Sequence, residues 1–414
     1  MRILGRLTGG PARQACLLHE RLTPAFETRL VTGSLSAGEH DMSELLSSSS
    51  NVLRLKAMSR EISWSDIRAF WDIFKFLRRE RPDVVHTHTA KAGALGRLAA
   101  WLAGVPVIVH TYHGHVFYGY FGRAKTRAYL TVERALGRVT SRVIAISASQ
   151  REELSGKYAV VSPQKISVIQ NGFELGSFSK QDREKTRQAL GIRPDQFVLV
   201  WAGRMAPVKD VQLLAEVIRL AATSLPKALF IIVGDGEQRV GFEAQVQGYD
   251  NVRLLGWRRD MEAIWSAADA GILTSLNEGT PTALIEGMAA GLPFVATDVG
   301  AVADLAVGEL QRLPEGMGRR ADNGFLTVRR PEALCYSIAE LIADPLTAKR
   351  MGTVGREFVN KRFVSDRLVD ELTALYYHLL KSRGIAKAHE EGGLTEQEPK
   401  AHAVAVGVES KQEL

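Results

Sequence analysis

Short apolar runs alternate with longer helical stretches along most of the chain, and this alternation narrows the possible folds more than any other feature. Short β-rich runs separated by helices of about 10–15 residues are typical of a parallel, doubly wound sheet. In the first half the strand-like runs are Arg2–Leu7, Arg29–Thr32, Val52–Leu55, Asp83–His86, Val105–His110, Val143–Ser147 and Ile166–Ile169. The helical segments among them include Asp66–Glu80, Gly93–Leu102 and Ala124–Gly137.

The second half repeats this pattern, which predicts a second sheet of the same kind. Its strand-like runs are Phe197–Ala202, Ala228–Val233, Val252–Leu255, Ala270–Thr274, Phe294–Thr297 and Gly324–Thr327. Its helical segments include Asp210–Thr223, Met261–Ala268, Thr282–Ala290, Pro331–Ala343 and Arg367–Lys381. A chain of 414 residues is also long enough for two hydrophobic cores.

The expected division of the chain follows from these two series. Residues 1–175 form the first α/β domain and residues 176–365 the second, with residues 171–194 as the connection. Residues 366–383 form a C-terminal helix that crosses back to the first domain. Residues 384–414 lack periodicity and are rich in Glu, Lys, Gln and Gly, which predicts a disordered tail.

The cysteine content and the hydrophobic runs indicate a protein of the reducing cytosol. Only two cysteines occur, Cys16 and Cys335, and they suggest neither a disulfide framework nor a cysteine-based zinc site. The Met1–Leu7 segment is too short and too basic for a signal peptide. The weakly polar stretch Ala92–Val109 is interrupted by an arginine and a proline, so it predicts a helix and a strand rather than a membrane span.

Positive charge is concentrated in the first half of the chain. Residues 1–180 contain 25 Lys and Arg against 14 Asp and Glu, whereas the remainder contains 28 against 32. The basic half favours an anionic partner such as a lipid phosphate or a membrane surface, although scattered surface charge is an alternative. Nucleic acid is not expected as a partner, because no zinc finger, aromatic RNA-binding motif or compact basic run occurs.

Two glutamates eight residues apart, Glu278 and Glu286, define the strongest candidate site. Glu278 lies in a Gly/Pro turn, and Glu286 lies inside a helix that Gly291 and Pro293 end. A strand-like run precedes this segment and another follows it, which is how an α/β protein builds a site at the carboxyl ends of its strands.

A loop with two cations follows the predicted strand Phe197–Ala202. Gly203 permits a tight exit from the strand, and Arg204 and Lys209 lie five residues apart before the next helix. A planar guanidinium, an ammonium and the N–H groups of a helix terminus suit a diphosphate. The alternative is a pair of surface cations at a helix end.

The spacing of the two glutamates resembles the EX7E signature of the retaining glycosyltransferases of family 4. The resemblance covers about residues 5–380 and implies the GT-B fold, in which two Rossmann-like doubly wound parallel-sheet domains face a cleft. By this resemblance Arg204 and Lys209 bind the donor diphosphate, Glu286 the ribose and Glu278 the donor sugar. The remaining donor-binding positions that it implies are Gly9, Gly10, Gly203, Gly234, Gly256, Trp257, Gly279, Thr280, Pro281, Thr282, Ala283 and Leu284.

Histidines are clustered after two predicted strands of the first half. Five of the ten lie between His86 and His115, a pattern that also raises a zinc site as an alternative. No cysteine or nearby acid completes a ligand set, so no metal is expected there. The resemblance places His113 beside the donor sugar and acceptor, and Lys91 and His115 are candidates for an anionic acceptor. Aromatic and basic residues mix over residues 117–127, which suits either a membrane interface or a packed loop.

Together these features predict a retaining glycosyltransferase that uses a nucleotide-sugar, UDP by default, without a cofactor. The expected catalytic residues are His113, Arg204, Lys209 and Glu278. No Asp-x-Asp occurs in the chain, so the two cations are expected to replace a metal ion. The first half resembles bacterial enzymes of surface-polysaccharide synthesis, which implies a lipid-linked saccharide acceptor and a cytoplasmic protein on the inner face of the plasma membrane.

Three other functions remain open from the sequence. A glycosidase also uses paired carboxylates, but it needs no diphosphate site. A nucleotide-sugar 2-epimerase has the same two-domain architecture and would bind the same donor. A non-catalytic nucleotide-sugar-binding partner is a third alternative, against which the intact cations and carboxylates of the candidate site speak. Similarity of fold does not identify the nucleotide, sugar, acceptor or linkage. Trp257 likewise has two interpretations, stacking on a base or packing.

Overall fold

A computed structural model describes residues 1–23, 25–35, 41–47, 51–59, 62–114, 122–178 and 182–385. The expected acceptor residue His115 and the aromatic run 117–121 lie outside these residues. The same holds for residues 386–414 of the tail.

The first sheet has seven strands, and every neighbouring pair is parallel. Its order is β3-β2-β1-β4-β5-β6-β7. The elements are β1 (Arg2–Leu4), α1 (Gly9–Arg21), β2 (Leu30–Gly33), β3 (Val52–Leu55), α2 (Ser65–Glu80), β4 (Val84–His88), α3 (Ala90–Ala103), β5 (Val107–Tyr112), α4 (Arg123–Val139), β6 (Arg142–Ala145), α5 (Ala148–Glu152) and β7 (Ile166–Val168).

The second sheet has eight strands in the order β10-β9-β8-β11-β12-β15-β14-β13, and two of its pairs, at the β13 edge, are antiparallel. Its first elements are α6 (Arg183–Ala189), β8 (Phe197–Ala202), α7 (Val211–Ser224), β9 (Ala228–Val233), α8 (Arg239–Val246), β10 (Val252–Gly256), α9 (Met261–Ala267) and β11 (Ala270–Leu273). The later ones are α10 (Thr282–Ala289), β12 (Phe294–Thr297), β13 (Gln311–Arg312), β14 (Gly318–Ala321), β15 (Gly324–Thr327), α11 (Pro331–Ala343), α12 (Pro345–Arg362) and α13 (Ser365–Ser382).

The two parallel sheets confirm the predicted α/β class, and several local details differ from expectation. β1 ends at Leu4 rather than Leu7, and α12 and the β13–β14 pair were not predicted. The expected connection contains α6. Its Arg187 lies 3.3 Å from Asp269, the residue before β11, so α6 packs on the second sheet. Apolar side chains form separate buried clusters on the two faces of the second sheet.

The last helix, α13, packs against the first sheet although it follows the second in the chain. Its buried side chains Leu368, Leu372 and Tyr376 share one cluster with Val107 and Val109 of β5. No helix among the described residues is both long and apolar enough to cross a bilayer.

The loops at the carboxyl ends of the two sheets meet each other. A Cβ atom on Gly279 would lie 3.0 Å from the His113 carbonyl oxygen, so glycine lets the two backbones approach closely. The Asn171 amide donates to Thr280 Oγ1 at 3.1 Å. These contacts place the segment before α10 directly against the first domain.

Candidate active site

Three glycines bring the ends of β8, β9 and β10 together. A Cβ atom on Gly234 would lie 1.8 Å from the carbonyl oxygen of Gly203, and Gly234 has φ +137°. The Gly234 N–H donates to the carbonyl of Gly256 at 2.8 Å. Because no side chain fits between these loops, their backbones form one continuous surface at the carboxyl edge of the sheet.

The two predicted diphosphate cations occupy different surroundings. Arg204 is mostly exposed, and it pairs with Glu237 at 3.0 Å. Lys209 is far less exposed, and its ammonium lies 2.6 Å from Glu278 Oε1. Asp210 follows in a left-handed conformation, and its carboxylate accepts from the Leu213 N–H at 3.3 Å, which caps the start of α7.

Glu278 is held by more partners than the sequence indicated. Its Oε1 accepts from Ser275 Oγ at 2.6 Å as well as from Lys209. Its backbone carbonyl accepts from the Ala301 N–H at 2.9 Å, and a Cβ atom on Gly300 would lie 2.3 Å from that carbonyl. Ser275 and Gly300 were not predicted as site residues, although Gly300 follows β12 and so occupies a typical strand-end position.

Glu286 lies on α10, nearly buried, between partners from both domains. Arg13 Nη1 of α1 donates to Oε1 at 2.9 Å, and Trp265 Nε1 of α9 donates to Oε2 at 3.3 Å. Burial raises the pKa of the Glu286 carboxyl, and the Arg13 charge opposes this shift. Arg13 and Trp265 were not predicted as partners, since the contact to Arg13 spans 273 residues of sequence.

The histidines of the first sheet form a connected group at the ends of β4 and β5. His88 Nδ1 lies 2.9 Å from His113 Nε2, and the two rings stack at 5.2 Å. His86 contacts Tyr376 of α13 at 2.5 Å and Thr111 at 2.7 Å. These contacts give each ring a defined orientation.

Burial keeps these imidazoles neutral. It lowers the pKa of His113 to about 4 and the pKa of His88 and His110 well below the ordinary value. A neutral imidazole offers one N–H donor and one acceptor, so His113 can hydrogen-bond a ligand without bringing a charge. Among the described residues, no group of three or more His, Cys, Asp or Glu side chains could hold a metal ion.

The other predicted positions lie around this centre. Gly9 begins α1 with φ +77°, and Gly10 follows it facing open space. Trp257 is 47% exposed after β10, with the Arg259 guanidinium 5.3 Å from its ring centroid. Lys91, at the start of α3, forms an ion pair with Asp66 at the start of α2.

The segment after Gly279 continues directly into α10. Pro281 precedes the helix, and α10 itself begins at Thr282. Leu284 is buried in the core of the second domain, and Ala283 packs against that core. The Thr282 N–H donates to the Thr280 carbonyl at 2.8 Å and the Leu284 N–H to the Pro281 carbonyl at 3.0 Å, and the positive end of the helix dipole lies at this turn.

Two facing parallel-sheet domains, with cations and carboxylates at the strand ends of the second, define a GT-B glycosyltransferase. Residues 9–172 match the family model of a glycosyl transferase 4-like domain, and residues 196–344 match that of the glycosyl transferases group 1. The chain belongs to family 4 of the glycosyltransferases.

Individual relatives agree with this assignment. The Escherichia coli UDP-Gal:alpha-D-GlcNAc-diphosphoundecaprenol alpha-1,3-galactosyltransferase is 34% identical over 62% of this chain and 69% of its own length. The capsular polysaccharide biosynthesis glycosyltransferase CapM of Staphylococcus aureus is 22% identical over 82% of this chain and 89% of its own. A crystal structure of Anabaena HepE with UDP shares the fold, with a TM-score of 0.70, 21% identity and coverage of 91% of this chain and 99% of that one. These relatives do not favour the epimerase alternative.

Proposed function

We propose that this enzyme transfers a sugar from a UDP-sugar to a hydroxyl of a lipid-linked saccharide, with retention of anomeric configuration. The observation that carries the proposal is that Glu278, paired with Lys209, and Glu286, paired with Arg13, flank a segment that contacts the first domain at Gly279. The printed name of the Escherichia coli relative, with its UDP-sugar donor and diphosphoundecaprenol-linked acceptor, supports these substrate classes.

The donor diphosphate would lie over the glycine loops at the ends of β8 and β9. Because neither Gly203 nor Gly234 carries a side chain, a ligand could approach their backbones closely. Lys209 has a flexible stem and three donors, so it can contact a phosphate oxygen while Glu278 accepts another of its protons. Arg204, on the exposed side, would contact the second phosphate.

The ribose and sugar would be held by the two glutamates. Glu286 would accept from the ribose hydroxyls, and this requires Arg13 to give up its contact or share the carboxylate. Glu278 would accept from sugar hydroxyls beside the N-terminus of α10. His113 would form a hydrogen bond with the ligand from the first domain as an uncharged ring, since burial lowers its pKa.

The reaction would proceed by displacement on one face of the sugar. The bond between the anomeric carbon and the diphosphate oxygen breaks, and the acceptor oxygen forms the new bond on the same side. The acceptor proton passes to the departing diphosphate oxygen, so no protein nucleophile is needed. Lys209, Arg204 and the α10 N-terminus would stabilise the charge that develops on the diphosphate.

The acceptor side of the cleft would belong to the first domain. Its excess of cations over carboxylates favours an anionic, membrane-borne acceptor, so we place the enzyme at the inner face of the plasma membrane. Lys91 is the candidate cation there, beside the histidines of β4, although it pairs with Asp66 in the structure.

The test is incubation with UDP-sugars and a lipid extract that contains diphosphate-linked saccharides, followed by analysis of all products. We expect UDP release matched by a new glycosidic bond, whose anomeric configuration by NMR equals that of the donor. Formation of an epimeric UDP-sugar would favour the epimerase. An inverted product would overturn the retaining mechanism, and binding of UDP-sugars without any conversion would favour a non-catalytic role.

A further inference from the structure

Large apolar side chains are exposed on two neighbouring helices of the first domain. Trp64, at the start of α2, is 88% exposed, and Trp71 is 51% exposed. The exposed residues of this region, which we call the α2–α3 surface, are Trp64, Ile67, Trp71, Leu98, Trp101 and Leu102. Clustered exposure of this kind marks an interaction site more often than scattered single residues do.

Helical spacing places these side chains on the outward faces of α2 and α3. Trp64, Ile67 and Trp71 follow one another at intervals of three and four residues, and Leu98 precedes Trp101 by three residues and Leu102 by four. The opposite faces of both helices share one buried cluster, which includes Ile73, Leu77 and Ala99. The aromatic ring of Trp71 is supported from below, with Phe70 at 5.4 Å and Phe74 at 5.6 Å.

Cations accompany the aromatic side chains on α2. Its exposed positions include Arg68, Lys75, Arg78 and Arg79, and the partly exposed Asp72 is the one carboxylate between its two ends. The carboxylates at its two ends are engaged, since Asp66 pairs with Lys91 and Glu80 with Arg29 and Arg79. The outward face of α2 is therefore both aromatic and positive.

We propose that the α2–α3 surface docks on a bilayer that contains anionic phospholipids. Tryptophan is enriched at membrane interfaces, and lysine and arginine there attract anionic headgroups while their stems lie along the apolar layer. A second copy of this chain fits less well, because a two-fold interface would place the α2 cations of one copy against those of the other. Docking needs neither donor nor acceptor, so it goes beyond the proposed transfer reaction.

The surface is continuous with the acceptor side of the cleft. Trp64 precedes Asp66 by two residues, and Asp66 pairs with Lys91 at the start of α3. His88 ends β4 just before α3 and contacts His113. Docking would therefore bring the carboxyl edge of the first sheet towards the lipid, and its use in catalysis rests on the proposed lipid-linked acceptor.

Vesicle co-sedimentation of the full chain tests the inference directly. The vesicles are phosphatidylcholine alone or with roughly one-third phosphatidylglycerol. We expect binding to the anionic vesicles that Trp71→Ser with Trp101→Ser weakens by at least about tenfold. Arg68→Ser with Lys75→Ser should weaken it about fivefold for each cation removed and leave it less sensitive to salt. Leu346→Ser with Arg350→Ser removes one exposed apolar side chain and one exposed cation from α12 and should bind like the wild type.

Unfolding temperature and UDP affinity, measured on every variant, show whether each is folded with an intact donor site. Equal vesicle binding by the wild type and the surface variants would overturn the inference, as would failure of the wild type to bind anionic vesicles. A wild type that associates with itself, and loses this association in Trp71→Ser with Trp101→Ser, would assign the surface to a second copy instead. None of these outcomes depends on whether the transfer reaction occurs.

Discussion

Glu286 is a nearly buried carboxylate whose two partners come from α1 and α9. Arg13→Ala removes one of them and leaves the carboxylate with Trp265 alone. We expect a loss of about 1 kcal/mol in the free energy of unfolding, which is modest because the Arg13 side chain is 49% exposed. Urea unfolding at neutral pH measures this loss.

Arg193→Ala is the matched control for this prediction. Arg193 also pairs with a carboxylate, Asp195 at 3.2 Å, but both side chains are exposed. Its removal should change the unfolding free energy by less than about 0.5 kcal/mol. Equal effects of the two substitutions would show that the contact between Arg13 and Glu286 adds nothing to stability.

His113 makes the stability of the first domain depend on pH. Its folded pKa of about 4 lies below the ordinary value of 6.5, so the unfolded chain binds the proton more readily. Above about pH 7 the neutral ring costs no free energy of unfolding. As the pH falls from about 6.5 towards 4, protonation of His113 in the unfolded chain lowers the free energy of unfolding by up to about 3 kcal/mol.

His113→Gln is expected to remove this part of the pH dependence. Unfolding free energies of wild type and variant, compared from about pH 7 to about pH 5, should converge as the pH falls. The substitution also removes the contact with His88, so the difference between the two proteins reports His113 together with its effect on His88. A difference that stays constant with pH would contradict the neutral state of this partly buried ring.

At this scale the sequence predicted the acids and cations but not their mutual contacts. The roles of Glu278 and Glu286 were expected from their spacing and from a family resemblance, and they remain proposals. The hydrogen bond between Arg13 and Glu286 joins segments that are 273 residues apart in the chain. Local sequence patterns do not predict such a tertiary contact. Gly300 had a readable signal, a glycine just after a strand, whereas Trp265 looked like an ordinary core residue.

The loops after β8 and β9 act as one structural unit because Gly234 leaves no space for a side chain. Gly234→Ala would place a methyl group 1.8 Å from the Gly203 carbonyl oxygen at φ +137°. We expect a loss of at least about 2 kcal/mol in unfolding free energy, together with weaker UDP binding. Thermal unfolding with and without UDP measures both effects.

Gly241→Ala provides the comparison. Gly241 lies within α8, and a Cβ atom there meets nothing within 4 Å. Alanine favours helix over glycine, so this substitution should be neutral or stabilising by up to about 1 kcal/mol. A Gly234→Ala variant as stable as Gly241→Ala would contradict the close loop contact.

Helix α13 ties the end of the chain to the first sheet. Leu372→Ala should cost about 3 kcal/mol of unfolding free energy, because the leucine is buried beside β5. Leu346→Ala, at an exposed position of α12, should change it by less than about 0.5 kcal/mol. Chemical denaturation measures the free energy of unfolding of both variants. Similar losses in the two would mean that α13 contributes little to this core.

Strongly patterned elements were predictable, and weakly patterned ones were not. The runs of β8, β9, β12 and β15 match the structure end to end, because each is a buried apolar stretch between turn residues. β13 has only two residues, both exposed, so it carries no hydrophobic signal. α12 is polar over much of its surface, and α6 is short and highly charged. Neither helix therefore has the apolar periodicity from which a helix is predicted.

At the scale of the whole molecule, the two sheets are connected by contacts between the loops at their carboxyl edges and by α13. Repetition of the strand and helix pattern was enough to predict two such sheets. The exact ends of the domains stay a prediction, since the connection packs on the second sheet and the final helix on the first. The sequence alone could not place Trp64 and Trp71 on one exposed face, because the same spacing also suits a buried helix.

The second domain is expected to bind a uridine nucleotide through Glu286 and its neighbours. Calorimetric titration with UDP, GDP and ADP tests it most directly, using the wild type, Glu286→Ala and the exposed control Glu340→Ala of α11. We expect UDP to bind more tightly than GDP or ADP. Glu286→Ala should weaken UDP binding by at least about tenfold, or about 1.4 kcal/mol, and Glu340→Ala should leave it unchanged. Absence of UDP binding by the folded wild type, or equal affinity in Glu286→Ala, would contradict this prediction.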